Sequence, residues 1–248
     1  GGQFNGANIT GTQTEQMIDF YIEQKVDGIL FAPVELTHNC FSINKKIIGK
    51  LENRNIPVVL VDADYYEFPK RSVYDLVGID NFKAGYVSAM HFIEQGAKRI
   101  DFLRQSFMAH TVPQRIMGYR QALLNSGITP HKTWVHDIQD FSSKELSDLI
   151  HNGAQNIICA NDNTAMKFIK ALSDTDINIP KDVRISGFDD IEAARYFPIP
   201  LTTIAQPCKK LAEVIIHTML TRIENPYLPA RNLMLDFELK VRESSILE

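Results

Sequence analysis

The sequence predicts an α/β fold of the doubly wound kind, a parallel sheet flanked by helices. Three observations predict it. Short apolar runs rich in β-branched residues recur along the chain, stretches with helical spacing of apolar residues lie between them, and conventional stop residues close those stretches. In chain order, Met17, Phe20, Tyr21 and Gln24 form the first helical stripe, and the run Gly28–Pro33 follows as a strand. Ile43, Ile47, Ile48 and Leu51 make the next helix face, then come the runs Pro57–Asp62 and Leu76–Asp80. Tyr86, Met90 and Ile93 form the next stripe, closed by Gly96, before the strand Arg99–Arg104. Met117, Tyr119, Leu123 and Leu124 form another, closed by Gly127, then Leu146, Leu149 and Ile150 before the strand Asn156–Asn161. Met166, Ile169 and Leu172 complete the set, with Pro180 beyond the helix and Val183–Phe188 as the next strand. Continuous apolar runs suit strands buried on both faces, and each stripe lays one helix face on the sheet.

Composition bounds what such a fold can do. The chain has 248 residues, with 26 Lys and Arg against 30 Asp and Glu, a net charge of −4. Its 44% hydrophobic and 23% charged residues exclude a disordered, collagenous or coiled-coil protein. The length accommodates one large domain or two lobes of about 100–150 residues. No stretch reaches the roughly 18 apolar residues of a membrane span. The slight acidity speaks against the chain gripping a phosphate backbone by itself, since that affinity comes from Lys and Arg. Cys40, Cys159 and Cys208 are far apart and odd in number, which suits a reducing, cytoplasmic compartment. The opening residues Gly1 to Gly6 have neither the charged region nor the apolar core of a signal peptide.

Familiar catalytic signatures are missing from the sequence. No GxGxxG or Walker-type string follows a strand, so nucleotide cofactors lose their usual warrant. His38, His91, His110, His131, His136, His151 and His217 show no metal-ligand spacing, and no metal or other cofactor is expected. The nearest approach to a nucleophile elbow, Ile185-Ser186-Gly187, lacks the first glycine and lies inside a strand, so an enzyme is not expected. What the strands carry instead is polar ends: Asp62, Asp80, Asn161-Asp162 and Asp189-Asp190. Ligands of open parallel sheets bind at the carboxyl ends of strands, and Asp and Asn at those places also cap the helices that follow. Four such ends without a phosphate loop point to a polar pocket for a neutral ligand.

Several strings in order resemble the effector-binding core of the lactose-repressor family of bacterial transcription regulators. They are Val26-Asp-Gly-Ile-Leu30, Ile56-Pro-Val-Val-Leu-Val-Asp62, Val77-Gly-Ile-Asp-Asn81 with Gly85, and Arg115-Ile-Met-Gly118-Tyr119. Ala160-Asn161-Asp162, Ile185-Ser-Gly-Phe-Asp-Asp190, Pro200-Leu-Thr-Thr-Ile204 and Leu239-Lys240-Val241-Arg242-Glu243-Ser244 continue the series over nearly the whole chain. The resemblance implies two similar lobes of the type I periplasmic-binding-protein kind, residues 1–76 with 207–235 and residues 77–206 with 236–248. It also implies a helix-turn-helix headpiece, a first strand and a helix ahead of Gly1. None of these is visible in the sequence, so the first lobe's sheet is expected to be short by at least a strand.

The function so implied is the ligand-sensing and dimerisation core of a repressor. A small molecule binds between the lobes and reports to operator DNA through the headpiece; the alternative on the same fold is a periplasmic sugar-binding protein of a transport system. Carried over position by position, the ligand-binding candidates are Asp62, Arg115, Phe141, Asn161, Asp189 and Gln206. Their types suit a carbohydrate: carboxylates and carboxamides match hydroxyls, a guanidinium holds oxygens at fixed geometry, and an aromatic ring covers a pyranose face. A purine is the alternative ligand, since Phe141 stacks equally well on a base. Tyr196, Phe197 and Ile199, crowded around prolines, are the expected homodimer interface, unless that loop folds back onto its own lobe.

Overall fold

The computed structural model describes residues 11–35, 37–106, 108–139 and 141–246. In chain order the elements are α1 (Gly11–Glu23), β1 (Ile29–Phe31), α2 (Cys40–Glu52), β2 (Val58–Val61), β3 (Asp75–Ile79), α3 (Asn81–Glu94), β4 (Asp101–Gln105), α4 (Val112–Asn125) and β5 (Val135–Ile138). There follow α5 (Ser143–His151), β6 (Asn156–Cys159), α6 (Asp162–Leu172), β7 (Arg184–Asp189), α7 (Ala193–Tyr196), β8 (Thr202–Ala205), α8 (Cys208–Glu224), β9 (Asn232–Leu235) and β10 (Glu238–Lys240). The chain divides into two units, Gly1–Gly78 with Cys208–Leu235 and Ile79–Pro207 with Asp236–Glu248. Among the described residues no helix is long and apolar enough to cross a membrane.

The first unit is built on a four-stranded sheet in the order β1-β2-β3-β9, with β1, β2 and β3 parallel. Its core joins Ile29, Phe31, Val58, Leu60 and Leu76 of the strands to Ile18 of α1 and to Ile47, Ile48 and Leu51 of α2. The α2 stripe is the expected one. In α1, by contrast, Met17 and Phe20 are 46% and 56% exposed; Ile18 is buried in the core, with Tyr21 of the expected stripe and Ile22 packed against it. Helical spacing alone does not distinguish these faces when both carry apolar residues. Asp75, fully buried at the start of β3, accepts from Arg222 Nη2 of α8 at 2.7 Å and from the Arg231 backbone N–H beside β9 at 2.8 Å, tying three elements together.

The second unit holds six strands in the order β10-β8-β7-β6-β4-β5, all parallel except β10, which runs antiparallel to β8. Three of these strands fell outside the apolar runs read from the sequence; β8 is buried but opens on two threonines, Thr202 and Thr203, and so shows no apolar run. For β5 the reason is position: it is the edge strand, and Val135 to Ile138 includes no fully buried residue. The three-residue β10 is likewise an edge, half exposed. Helices α5 and α6 pack Leu146, Ile150, Phe168, Ile169 and Leu172 on Leu103, Ile157 and Ile185.

On α3 the expected stripe of Tyr86, Met90 and Ile93 is only half-buried, and the buried face is Ala84, Gly85, Ser88, Ala89 and Phe92. The cause is a close helix crossing. A Cβ added at Gly85 would lie 1.9 Å from the Arg115 carbonyl oxygen of α4, and one at Gly118 would lie 1.8 Å from the Phe82 carbonyl oxygen of α3. Backbone meets backbone at both points, so small residues, not large apolar ones, line this contact. Gly96 and Gly127 end α3 and α4 at φ 85° and 73°, where residues with a side chain are strained. Gly118→Ala is expected to lower the unfolding free energy by about 3 kcal/mol, the upper range for forcing a methyl into a packed contact, as read by urea denaturation.

Candidate functional site

In the second unit four polar strand ends lie along one sheet, because parallel strands bring all their carboxyl ends to the same side. Gln105 ends β4, Asn161 follows β6, Asp189 ends β7 and Gln206 follows β8. Arg115 sits on α4, the helix after β4, and is 3% exposed. Its Nε donates to Asn81 Oδ1 at 2.8 Å, and its Nη1 donates to the Ala160 carbonyl at 2.7 Å. The guanidinium carbon stands 4.5 Å from the centroid of the Phe188 ring, and Nη2 lies 3.7 Å from Asp189 Oδ1. Burying a guanidinium is costly unless its donors are matched, and here two carbonyl-type acceptors and a ring face do the matching.

Asp189 also accepts from Gln206 Nε2 at 3.0 Å, so Arg115, Asp189 and Gln206 form one connected set. Ala160, which binds Arg115, directly precedes Asn161. Asn161 caps α6: its Oδ1 accepts from the Thr164 N–H and hydroxyl, each at 2.8 Å. Asp80 likewise caps α3 through the Lys83 N–H at 2.9 Å. Capping is thus how both side chains' Oδ1 atoms are used, and for Asn161 it leaves the Nδ2 end to offer a ligand. Phe141 is half-buried against the core of the second unit, with Lys167 Nζ 5.9 Å from its ring centroid. Asp62 belongs to the first unit, where it follows β2 at φ 68° and its N–H donates to the Val77 carbonyl at 2.9 Å.

Two groups bearing on this set, Asn81 and Phe188, were not singled out from the sequence, and a third, Asp162, was read only as a polar strand end. Asn81 and Phe188 hold Arg115, and Asp162, fully buried, accepts from the Thr203 hydroxyl at 2.6 Å and from the Ile191 N–H at 3.0 Å. Gly187 makes room for Asp162, since a Cβ there would come 2.3 Å from Asp162 Oδ1. Burial pushes the Asp162 carboxyl up to about 7, with the charges of Asp189 and Asp190 adding to it against the two hydrogen bonds. Asp190 is opposite in character. Burial raises it, but Arg195 Nη2 at 2.8 Å and Arg242 Nη2 at 2.6 Å hold it below its ordinary value, and those ion pairs consume it in the structure of the loop. Only the adjacency of Asp and Asn pairs at strand ends signalled any of this in the sequence.

Tyr196, Phe197 and Ile199 differ in placement. Tyr196, at the end of α7, is 80% exposed, whereas Phe197 packs against its own unit's core and Ile199 is half-buried. Among the described residues no group of three or more His, Cys, Asp or Glu is placed to hold a metal ion.

Residues 89–245 match the family of periplasmic binding protein-like domains. The chain is 28% identical over 229 residues to an HTH-type transcriptional repressor, PurR, of Photobacterium profundum, covering 90% of this chain and 65% of that protein. It therefore spans a little under two thirds of that relative's length. Among solved structures, the transcription regulator CcpA of Lactococcus lactis shares the fold, with a TM-score of 0.78 at 24% identity over 97% of this chain and 86% of that one. A LacI family transcriptional regulator from Enterococcus faecium, solved with bound ribose, gives a TM-score of 0.74 at 25% identity over 93% and 83%.

The raised pKa of Asp162 carries a pH dependence with a definite sign. Above pH about 4 the unfolded chain gives up this proton while the folded chain keeps it, so stability falls as pH rises and levels off past about 7. Asp162→Asn removes the titration. The unfolding free energy of the native chain relative to this variant is expected to fall by about 3–4 kcal/mol between pH 4 and pH 8, measured by urea unfolding across that range.

Proposed function

We propose, from the premise that this chain belongs to the periplasmic binding protein-like domain family, that it is the ligand-sensing core of a transcriptional repressor. The observation that carries the reading is the connected set of Arg115, Asp189 and Gln206 at the carboxyl ends of the second unit's strands, with the guanidinium already oriented by protein acceptors. Such a set accepts a hydroxyl well. Nη2 of Arg115 donates to it, and Asp189, 3.7 Å away, accepts from it. A carboxylate or phosphate in the same place would be opposed by Asp189 and, whenever it is ionised, by buried Asp162. The ligand is therefore a neutral polyhydroxyl compound, a carbohydrate in the first instance. Phe141 offers it an apolar face and Asn161 Nδ2 a donor; Asp62 is the polar strand end that the first unit carries. A purine is the second ligand class to be tried.

The repressor reading is preferred to a transport protein on the same fold because the relative matched over 90% of the chain is a repressor. The three cysteines form no disulfide, which suits a cytoplasmic protein. Operator DNA is bound through a headpiece, and not by this acidic chain itself. Such a regulator acts as a homodimer, because paired headpieces need a two-fold body. Of the three residues expected at the interface, Tyr196 is the one with a ring to offer a partner; Phe197 is spent on its own core.

Asp189→Ala removes an acceptor and unpairs its partners, and is expected to weaken sugar binding about 10- to 100-fold, measured by calorimetry against ribose, glucose and cellobiose. Equal affinities would remove Asp189 from the site. Sedimentation at micromolar concentration is expected to give a dimer that Tyr196→Asp dissociates. A monomeric native chain, or a variant as dimeric as the native chain, rules out this interface.

A further inference from the structure

We propose that Asn81 is the positioning residue for the ligand-binding arginine, a role that rests on the reading of Arg115 as a ligand contact. Asn81 is the first residue of α3 and is 3% exposed. Capping does not account for it, because Asp80 caps that helix. Its amide is oriented from both ends: Nδ2 donates to the Ile79 carbonyl at 3.2 Å, and Oδ1 accepts from Arg115 Nε at 2.8 Å. The reverse orientation would set two donors, its own amide and Nε, against each other.

The guanidinium plane is thereby fixed at two points, Asn81 on Nε and Ala160 on Nη1, with the Phe188 ring beneath. Only the direction of Nη2 is left to a ligand, and the other two bonds set that direction. Without the Asn81 acceptor, Nε becomes an unmatched buried donor, and the group pivots about its remaining bond to Ala160.

One helix face fixes the residue at both of its ends. Gly85 lies one turn after Asn81 on α3, and its missing side chain lets the α4 backbone at Arg115 settle directly on α3, where a Cβ would stand 1.9 Å from the Arg115 carbonyl oxygen. Gly85 places the backbone of the arginine and Asn81 places its head. In catalysis and binding alike, orientation fixed before the ligand arrives is not lost as entropy on binding.

A double-mutant cycle on the whole chain tests this, with Asn81→Leu, Arg115→Lys and the pair, read by calorimetry with whichever of ribose, glucose, cellobiose and hypoxanthine binds the native chain most tightly. Asn81→Leu is expected to weaken binding about 10-fold. In the Arg115→Lys background it is expected to cost nothing further, because there is no Nε left to hold. Asn81→Asp, which keeps an acceptor on Nε, is expected to stay within about threefold of the native affinity. If Asn81→Leu does not fold, Asn81→Ser takes its place in the cycle. Additive losses, or an unchanged affinity for Asn81→Leu while Arg115→Lys weakens binding, overturn the positioning role and leave the ligand site standing. Native affinity in Arg115→Lys, or binding of no compound in the set, overturns the ligand site and this role with it.

Discussion

A guanidinium held out of water governs the second unit. Arg115 is buried among α3, α4, β6 and β7, and taking its charge from solvent costs several kcal/mol unless protein acceptors compensate it. The acceptors come from separate stretches of chain, Asn81 and Ala160, and the ring beneath comes from a third, Phe188. For all three to converge, α4 has to lie on α3 at backbone distance. That closeness in turn requires glycine at 85 and 118, and it displaces the large apolar residues of α3 from the face that helical spacing would assign them. Helix packing and candidate ligand chemistry are therefore one constraint seen at two scales.

Three aspartates after β6 and at the end of β7 show how partners decide what a carboxylate does. Asp190 lies between Arg195 and Arg242, so it is ionised and structural. Asp162, more deeply buried than Asp190, accepts from a hydroxyl and a backbone N–H instead of cations, and its proton is held toward neutral pH. Asp189, with a third of its side chain exposed, meets Gln206 at hydrogen-bond distance and Arg115 at 3.7 Å, beyond one. A hydroxyl that accepts from the arginine and donates to the aspartate completes what these two groups do not complete with each other. The same residue type thus serves as an anchor, a titrating group and a candidate ligand contact at the ends of two adjacent strands, β6 and β7.

The sequence disclosed the parts of the fold that depend on continuous apolar runs. The strands from Val58 to Val61, Asn156 to Cys159 and Arg184 to Asp189 are buried on both faces and stand out as such. Edge strand β5 did not stand out, because a strand with a solvated side has no such run to show. The α1 and α3 faces were misplaced for different reasons: the apolar face of α1 is broad enough that Met17 and Phe20 lie at its exposed side, and α3 buries glycine, alanine and serine, which a hydrophobic stripe does not count. At the candidate site the strand-end carboxylates and the arginine were legible from their positions and from family resemblance. The roles of Asn81 and Phe188, and the burial of Asp162 beyond its strand-end position, were not, since they arise only when distant segments meet.

Backbone strain gives an independent reason to look to the strand ends. Among the described residues, five with side chains have positive φ: Lys25, Asn55, Asp62, Asp189 and Asp190. Lys25 and Asn55 lie in the short turns that follow α1 and α2, where a left-handed residue closes a helix. The three aspartates instead stand at the carboxyl ends of β2 and β7, and Asp189 adopts φ 112°, well outside the left-handed helical well that Asn and Asp tolerate. Such a conformation costs of order 1–3 kcal/mol, and glycine would avoid it. Asp190 repays its share through two arginines. Asp189, whose φ lies further from the left-handed well, accepts from Gln206 Nε2 and lies 3.7 Å from Arg115 Nη2. A strained side chain at the carboxyl end of β7, 3.7 Å from the Arg115 guanidinium, is what the proposed ligand role for Asp189 would require of the backbone.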